Sequence, residues 1–257
     1  MSKDIINGYV NVETHKGVTT IEFFHPQSNS LPHRILEDLA NEIHAVGTDH
    51  ETKVIVLRSG GEKAFCAGAS FDELSHIENE KKGFHFFSGF ADVINAKRKC
   101  PKLIIGRIHG KCVGGGVGLA AAADYAIAYQ NADVRLSELA IGIGPFVVGP
   151  AIERRIGPSA FGHLAIDSTK WRNAEWCKRK GLYAEVHETA ESMDESILRL
   201  SHELAHYNPH AMTELKKILW KGTEHWDDLL FQRAEISGKL VISQHSKHAI
   251  EKFKAKS

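Results

Sequence analysis

Tyr9-Val10-Asn11-Val12-Glu13-Thr14 and Gly17-Val18-Thr19-Thr20-Ile21-Glu22-Phe23 alternate apolar and polar positions and carry β-branched side chains. Lys16-Gly17 punctuates them, so residues 8–24 are a predicted β-hairpin. His25 to Pro32 has the composition of a loop. Ile35, Leu36, Leu39 and Ile43 then recur at helical spacing and predict a helix over 34–46. Val54-Ile55-Val56-Leu57, Leu103-Ile104-Ile105-Gly106 and Tyr125-Ala126-Ile127-Ala128 are short apolar runs, the pattern of strands buried on both faces. Between the first two of these runs, an aromatic-rich helix is predicted through about 84–98.

Strand, loop and helix in repetition predict an α/β fold with mostly parallel pairing. Beyond about residue 190 the strand pattern disappears. Residues 192–221 and 225–256 read as helices, with breaks near Asn208-Pro209 and Gly222. The chain therefore divides into a core, residues 1–191, and a helical appendage, residues 192–257.

Composition narrows the function. Basic and acidic residues balance at 32 each, which gives no signal for a nucleic-acid or membrane surface. No window approaches the roughly 20 apolar residues of a membrane span, and the N-terminus lacks the charged-then-apolar pattern of a secretory signal. Cys66, Cys100, Cys112 and Cys177 are scattered, without a C-x-x-C pair, so a reducing cytoplasm is the expected compartment.

Three segments carry candidate chemistry. The first runs from Gly106 through His109-Gly110 and Gly114-Gly115-Gly116 into an alanine-rich helix ending at Asp124. Unpaired N–H groups at a helix start, approached over glycines without a Cβ, form a site for developing negative charge. Tight helix–sheet packing is the alternative reading. The second is Ala64-Phe65-Cys66-Ala67-Gly68-Ala69-Ser70, small residues after a strand and before a helix. It can offer a further N–H, and two donors converging on one thioester carbonyl would stabilise its enolate, each worth roughly 3–4 kcal/mol of barrier. The third places Glu138 between apolar residues ahead of Gly142-Ile143-Gly144-Pro145. Either desolvation raises its pKa and suits it to proton transfer, or it is a strand-end glutamate in a salt bridge.

In combination and order, these segments resemble the crotonase (enoyl-CoA hydratase/isomerase) superfamily. The resemblance runs from about residue 8 to the C-terminus and includes Asp124-Tyr125-Ala126-Ile127-Ala128, Glu138-Leu139-Ala140-Ile141-Gly142 and Asn173-Ala174-Glu175 with Gly181-Leu182. It implies a crotonase-like spiral of ββα units, a C-terminal helical trimerisation region and an acyl-CoA substrate. Coenzyme A is then part of the substrate, with no separate cofactor and no metal. The implied assembly is a homotrimer or a dimer of trimers. By position, the backbone N–H groups of Ala69 and Gly115 form the implied oxyanion hole. Ala67, Ser70, Phe253 and Lys256 are implied coenzyme A contacts, although many members have Asp where this chain has Ser70.

One departure from the pattern bears on the reaction. Typical hydratases of this family carry two glutamates. Here the second is matched by Glu138, but the first position is Gly118. Hydration must activate a water and protonate a carbon, which two carboxylates divide naturally. A 1,3-proton shift needs only one base beside an oxyanion hole. The expectation is an enoyl-CoA isomerase-type proton transfer through Glu138, with hydration, or an assembling scaffold of reduced chemistry, as the alternatives.

Other features invite competing readings. His202-Glu203-Leu204-Ala205-His206 matches the H-E-x-x-H zinc pattern, with Glu224 downstream as a third ligand, but it falls in the helical appendage. Phe84, Phe86, Phe87 and Phe90 read as core, acyl-pocket wall or subunit contact. Lys97-Arg98-Lys99 and Lys178-Arg179-Lys180 read as solvated faces, with the 3′-phosphate of coenzyme A as a possible partner for one of them. Cys66 and Cys112 read as packing, and Asp124 as an acceptor for local backbone donors.

Overall fold

The computed structural model describes residues 6–254, with side chains through residue 252. Strands β1 (Tyr9–His15) and β2 (Val18–Phe24) form the hairpin, in register from Tyr9 opposite Phe24 to His15 opposite Val18. Its two-residue turn uses positive φ at Lys16 and Gly17, which matches the twist of the strands. Thr19, Ile21 and Phe23 point inward along β2. From there β4 (Val54–Ser59), β7 (Leu103–Ile108), β9 (Tyr125–Tyr129) and β11 (Glu185–His187) extend the sheet in parallel, in the order β1-β2-β4-β7-β9-β11. Helix α1 (His33–Thr48) buries Ile35, Leu36, Leu39 and Ile43, as its spacing predicts.

Besides β11, five strands of two or three residues escape the sequence pattern: β3 (Ser30–Leu31), β5 (Ala64–Cys66), β6 (Gly68–Ala69), β8 (Lys111–Val113) and β10 (Val134–Arg135). They are too short to show alternation. They make two small parallel sheets, β10-β8-β5 and β3-β6, and these hold the chemistry-bearing segments side by side. Ser70 opens the short helix α2 (Phe71–Leu74). Helix α3 (Glu80–Lys99) starts earlier than its aromatic run because Asn79 accepts a hydrogen bond from Lys82 N–H and caps it. Helix α4 (Gly115–Ala121) follows the glycines. Helix α5 (Gly149–Ile166) is kinked where Gly157, at φ 76°, precedes Pro158, and α6 (Ala174–Lys180) follows it.

The helices after residue 190 are α7 (Ala190–His206), α8 (Pro209–Leu219), α9 (Trp226–Val241) and α10 (Gln244–Lys254). They are not an appendage to a separate core. Met193, Ile197 and Met212 pack with Val54, Val56, Leu103, Ile105 and Ile127 of the sheet. Trp220, Trp226, Leu230, Ala234 and Val241 belong to the main core. Helix α9 lies on α3 at a glycine crossing, where a Cβ on Gly83 would stand 2.7 Å from Gly238 Cα. Sequence periodicity gives a helix its apolar face but not the partner of that face.

Candidate active site

A cavity of about 60 Å³ lies where the three candidate segments meet. Ala67, Gly68 and Ala69 line one side, Gly114 and Gly115 another, and Glu138 faces it from a short 3₁₀ turn, Glu138–Ile141. The segments are packed against one another through backbone. A Cβ on Gly68 would stand 2.8 Å from Val113 O and 3.5 Å from Gly115 N, while one on Gly116 would collide with Cys66 O. Gly115 has no room for a side chain because the Phe90 ring covers it.

Gly114 requires both its conformation and its lack of a side chain. Its φ is +51°, and a Cβ there would lie 2.9 Å from Glu138 Oε1. Its N–H donates to Arg135 O at 2.9 Å, which fixes the turn to the strand leading towards Glu138. Gly115 is the first residue of α4, so its N–H has no acceptor within the helix.

The structure resolves the two readings of Glu138. It has no salt-bridge partner among the described residues, and its buried Oε2 accepts no hydrogen bond from them. Burial drives its pKa up from 4.5 to about 7, and the hydrogen bond from its own backbone N–H offsets this only partly. Its loop is held from a distance in sequence: Gly142 is left-handed at φ 81°, and the buried Ser246 donates to Gly142 O at 3.1 Å.

At Gly118, where a second carboxylate would stand, a Cβ would lie 2.5 Å from Val148 Cγ1 and 2.6 Å from Val148 Cβ. The space beside Gly118 belongs to valine.

The structure brings Ala67, Ala69, Gly115 and Glu138 to one cavity. Ser70 is buried, and its Oγ accepts from Glu73 N–H as the cap of α2. Lys256 and the side chain of Phe253 lie outside the described residues. Of the aromatic cluster, Phe87 and Phe90 line the cavity, Phe86 packs against Phe87, and Phe84 meets Phe231. Sequence reasoning missed Ser137, Phe146, Val147, Val148 and Ser237 in the lining. The glycine–proline loop at 142–145 flagged the neighbourhood of the first four, but nothing local marks Ser237, on α9.

Lys97-Arg98-Lys99 is not a solvated face. Lys97 is fully buried and donates to Leu119 O at 2.6 Å, and burial lowers its pKa to about 7. Arg98 and Lys99 both pair with Asp227 of α9. Helix packing recruits the run: Lys97 turns into the core towards α4, while Arg98 and Lys99 turn towards α9. Lys178, Arg179 and Lys180 are exposed. Cys66 and Cys112 are buried; burial pushes the Cys66 thiol to about 12 and Cys112 well above its ordinary value, so both stay protonated.

In the H-E-x-x-H segment, His206 Nδ1 bonds its own helix at His202 O, 2.6 Å away, and Glu203 pairs with Arg199. Glu224 accepts from Gly222 N–H. Among the described residues, no group of three His, Cys, Asp or Glu side chains is placed to hold a metal ion. No helix among them is long and apolar enough to cross a membrane.

Comparison with known proteins agrees with this architecture. The chain is 25% identical over 246 residues to a probable enoyl-CoA hydratase of Bacillus subtilis, covering 95% of each chain. It is 30% identical over 200 residues to the mitochondrial methylglutaconyl-CoA hydratase of Mus musculus, covering 76% of this chain and 63% of that one. The fold superposes on a crystal structure of enoyl-CoA hydratase from Bacillus halodurans with a TM-score of 0.87 at 22% identity, over 95% of this chain and 99% of the other. The enoyl-CoA hydratase/isomerase family profile matches residues 13–257, and with these relatives it establishes that the chain belongs to that family, the crotonase superfamily.

Proposed function

We propose that the protein shifts the double bond of an enoyl-CoA thioester by proton transfer, with Glu138 as the base. The observation that carries this reading is a lone buried carboxylate in the cavity, its Oε2 unpartnered among the described residues and its pKa near 7. A group that must accept and return a proton in every turnover works best when both forms are populated at the working pH.

The thioester oxygen sits between the N–H groups of Ala69 and Gly115. Glu138 removes a proton from C2 of a 3-enoyl thioester, and the electron pair becomes the enolate held by those donors. The enolate then collapses as C4 takes the proton back from Glu138, and the C3=C4 double bond becomes C2=C3. Each donor contributes roughly 3–4 kcal/mol of transition-state stabilisation. Val148, filling the space beside Gly118, supports a single-carboxylate mechanism.

A second reading is hydration of a 2-enoyl-CoA, and the names of the relatives favour it: probable enoyl-CoA hydratase, methylglutaconyl-CoA hydratase and carnitinyl-CoA dehydratase. Incubation with matched 3-enoyl- and 2-enoyl-CoA thioesters, followed by NMR, separates the two. The isomerase reading expects 3-enoyl to become 2-enoyl with no 3-hydroxyacyl product. Accumulation of 3-hydroxyacyl-CoA from the 2-enoyl thioester without a double-bond shift overturns it in favour of hydration. Light scattering tests the trimer or dimer of trimers, for which the exposed Leu215, Ile218 and Leu219 of α8 are a suitable face. A particle much larger than a hexamer, without turnover, would instead favour a scaffold.

A further inference from the structure

Beside the cavity at Glu138 lies a second one of about 240 Å³. Pro145 and Phe146 line both. Phe146 is held in place by its own loop: a Cβ on Gly144 would stand 2.5 Å from Phe146 Cζ, so the absence of a side chain at 144 lets the ring fold back. Beyond the ring, Phe161 and Ala165 supply apolar wall, and Arg233 and Glu153 stand at the margin.

Size decides what the inner cavity can hold. At roughly 30 Å³ per water-sized group, about 60 Å³ leaves room for only a short acyl chain. That favours a short enoyl group, and four carbons make the shortest acyl chain on which a C2-to-C4 proton shift can be drawn.

On the acyl-CoA reading above, we propose that Phe146 sets the acyl length. The site takes short, apolar enoyl thioesters of about four carbons, and Phe146 closes off an adjoining cavity that would otherwise extend it. Removing the ring joins the two spaces, and each additional buried methylene then strengthens binding by about fourfold.

The test is calorimetric titration of the full chain with butyryl-, hexanoyl- and octanoyl-CoA, saturated probes that bind without turning over. The wild type binds butyryl-CoA and loses affinity as the chain lengthens. Phe146→Ala reverses that order, favouring octanoyl- over butyryl-CoA by at least tenfold, and adding Ala165→Leu to fill the second cavity cancels the gain. Phe146→Leu, a smaller change, shifts the ratio in the same direction and serves if Phe146→Ala does not fold. Equal affinity of the wild type for butyryl- and octanoyl-CoA overturns the proposal, and so does an unchanged ratio in the folded variants. If the folded wild type binds none of the three thioesters, the acyl-CoA reading itself falls, which distinguishes the two failures.

Discussion

Helix α4 has a buried carboxylate near each end, and the two are treated in opposite ways. After its C-terminus, Asp124 is fully partnered. Oδ2 accepts from Ile104 N–H and from Lys216, each at 2.8 Å, and Oδ1 accepts from Trp220 Nε1 at 2.7 Å. The last carbonyls of the helix and those just beyond it are covered by cations: Lys97 on Leu119 O, and Arg155 on Ala121 O, Ala123 O and Asp124 O. Before its N-terminus, Glu138 lies against Gly114 with Oε2 unpartnered by any described residue. A satisfied buried carboxylate ties α8 to the sheet, whereas an unsatisfied one is left with capacity to move a proton. Both glutamate and aspartate here are buried acids, and only the hydrogen-bond account separates structure from chemistry.

The comparison is broken most decisively at Glu138. Glu138→Gln should lower kcat on a 3-enoyl-CoA by about 10³-fold while leaving the fold intact. The same variant should be more stable than the wild type at pH 8, because it no longer ionises a buried group. The folded pKa lies above the unfolded one, so between about 4.5 and 7 the folded state keeps a proton that the unfolded state has released. Stability therefore falls as pH rises through that window, by up to about 3 kcal/mol. Thermal melts of the two proteins at pH 5 and pH 8 measure the difference, and a stability gap between variant and wild type that is the same at both pH values, with unchanged kcat, would end the assignment.

At the other end, Asp124→Ala strands Lys216, whose side chain is 3% exposed. The expected loss is about 3–5 kcal/mol in urea unfolding, with turnover per folded molecule retained. A smaller effect is expected inside the helix. Gly118→Ala should cost about 1–3 kcal/mol through collision with Val148, and Val148→Ala in the same chain should restore most of it. Smallest is the pH response of the wild type. Since Glu138 must be ionised to accept the proton, kcat/KM should climb as pH approaches about 7 and level off above it. A profile that falls over the same range would assign the essential group the opposite protonation state.

Much of this molecule is legible in its residue pattern, and the illegible parts have physical causes. The hairpin, α1 and the central parallel strands follow from alternation, helical spacing and apolar runs of four residues. The two small sheets do not, because a strand such as Gly68–Ala69 has no periodicity to read. The segments they anchor nevertheless bring Ala69 and Gly115 to one cavity. The glycine turn announced itself, but the reason for each glycine is a neighbour distant in sequence: Glu138 for Gly114, Phe90 for Gly115, Cys66 for Gly116. Whether Glu138 was paired was undecidable locally, since the answer depends on which cations the fold brings near it. Lys97 misled for the same reason, because a basic run reads as solvated until a helix terminus claims it.

Ser237 and Ser246 carry a consequence for the order in which the molecule is made. Every residue assigned a chemical step lies at or before position 138, yet the cavity wall contributed by Ser237 and the clamp from Ser246 onto Gly142 come about a hundred residues later. A nascent chain thus carries its complete chemistry long before it carries a complete site. The loop bearing Glu138 gains its clamp only when the helix Gln244–Lys254 docks, so assembly of the reaction centre waits until that helix has been made.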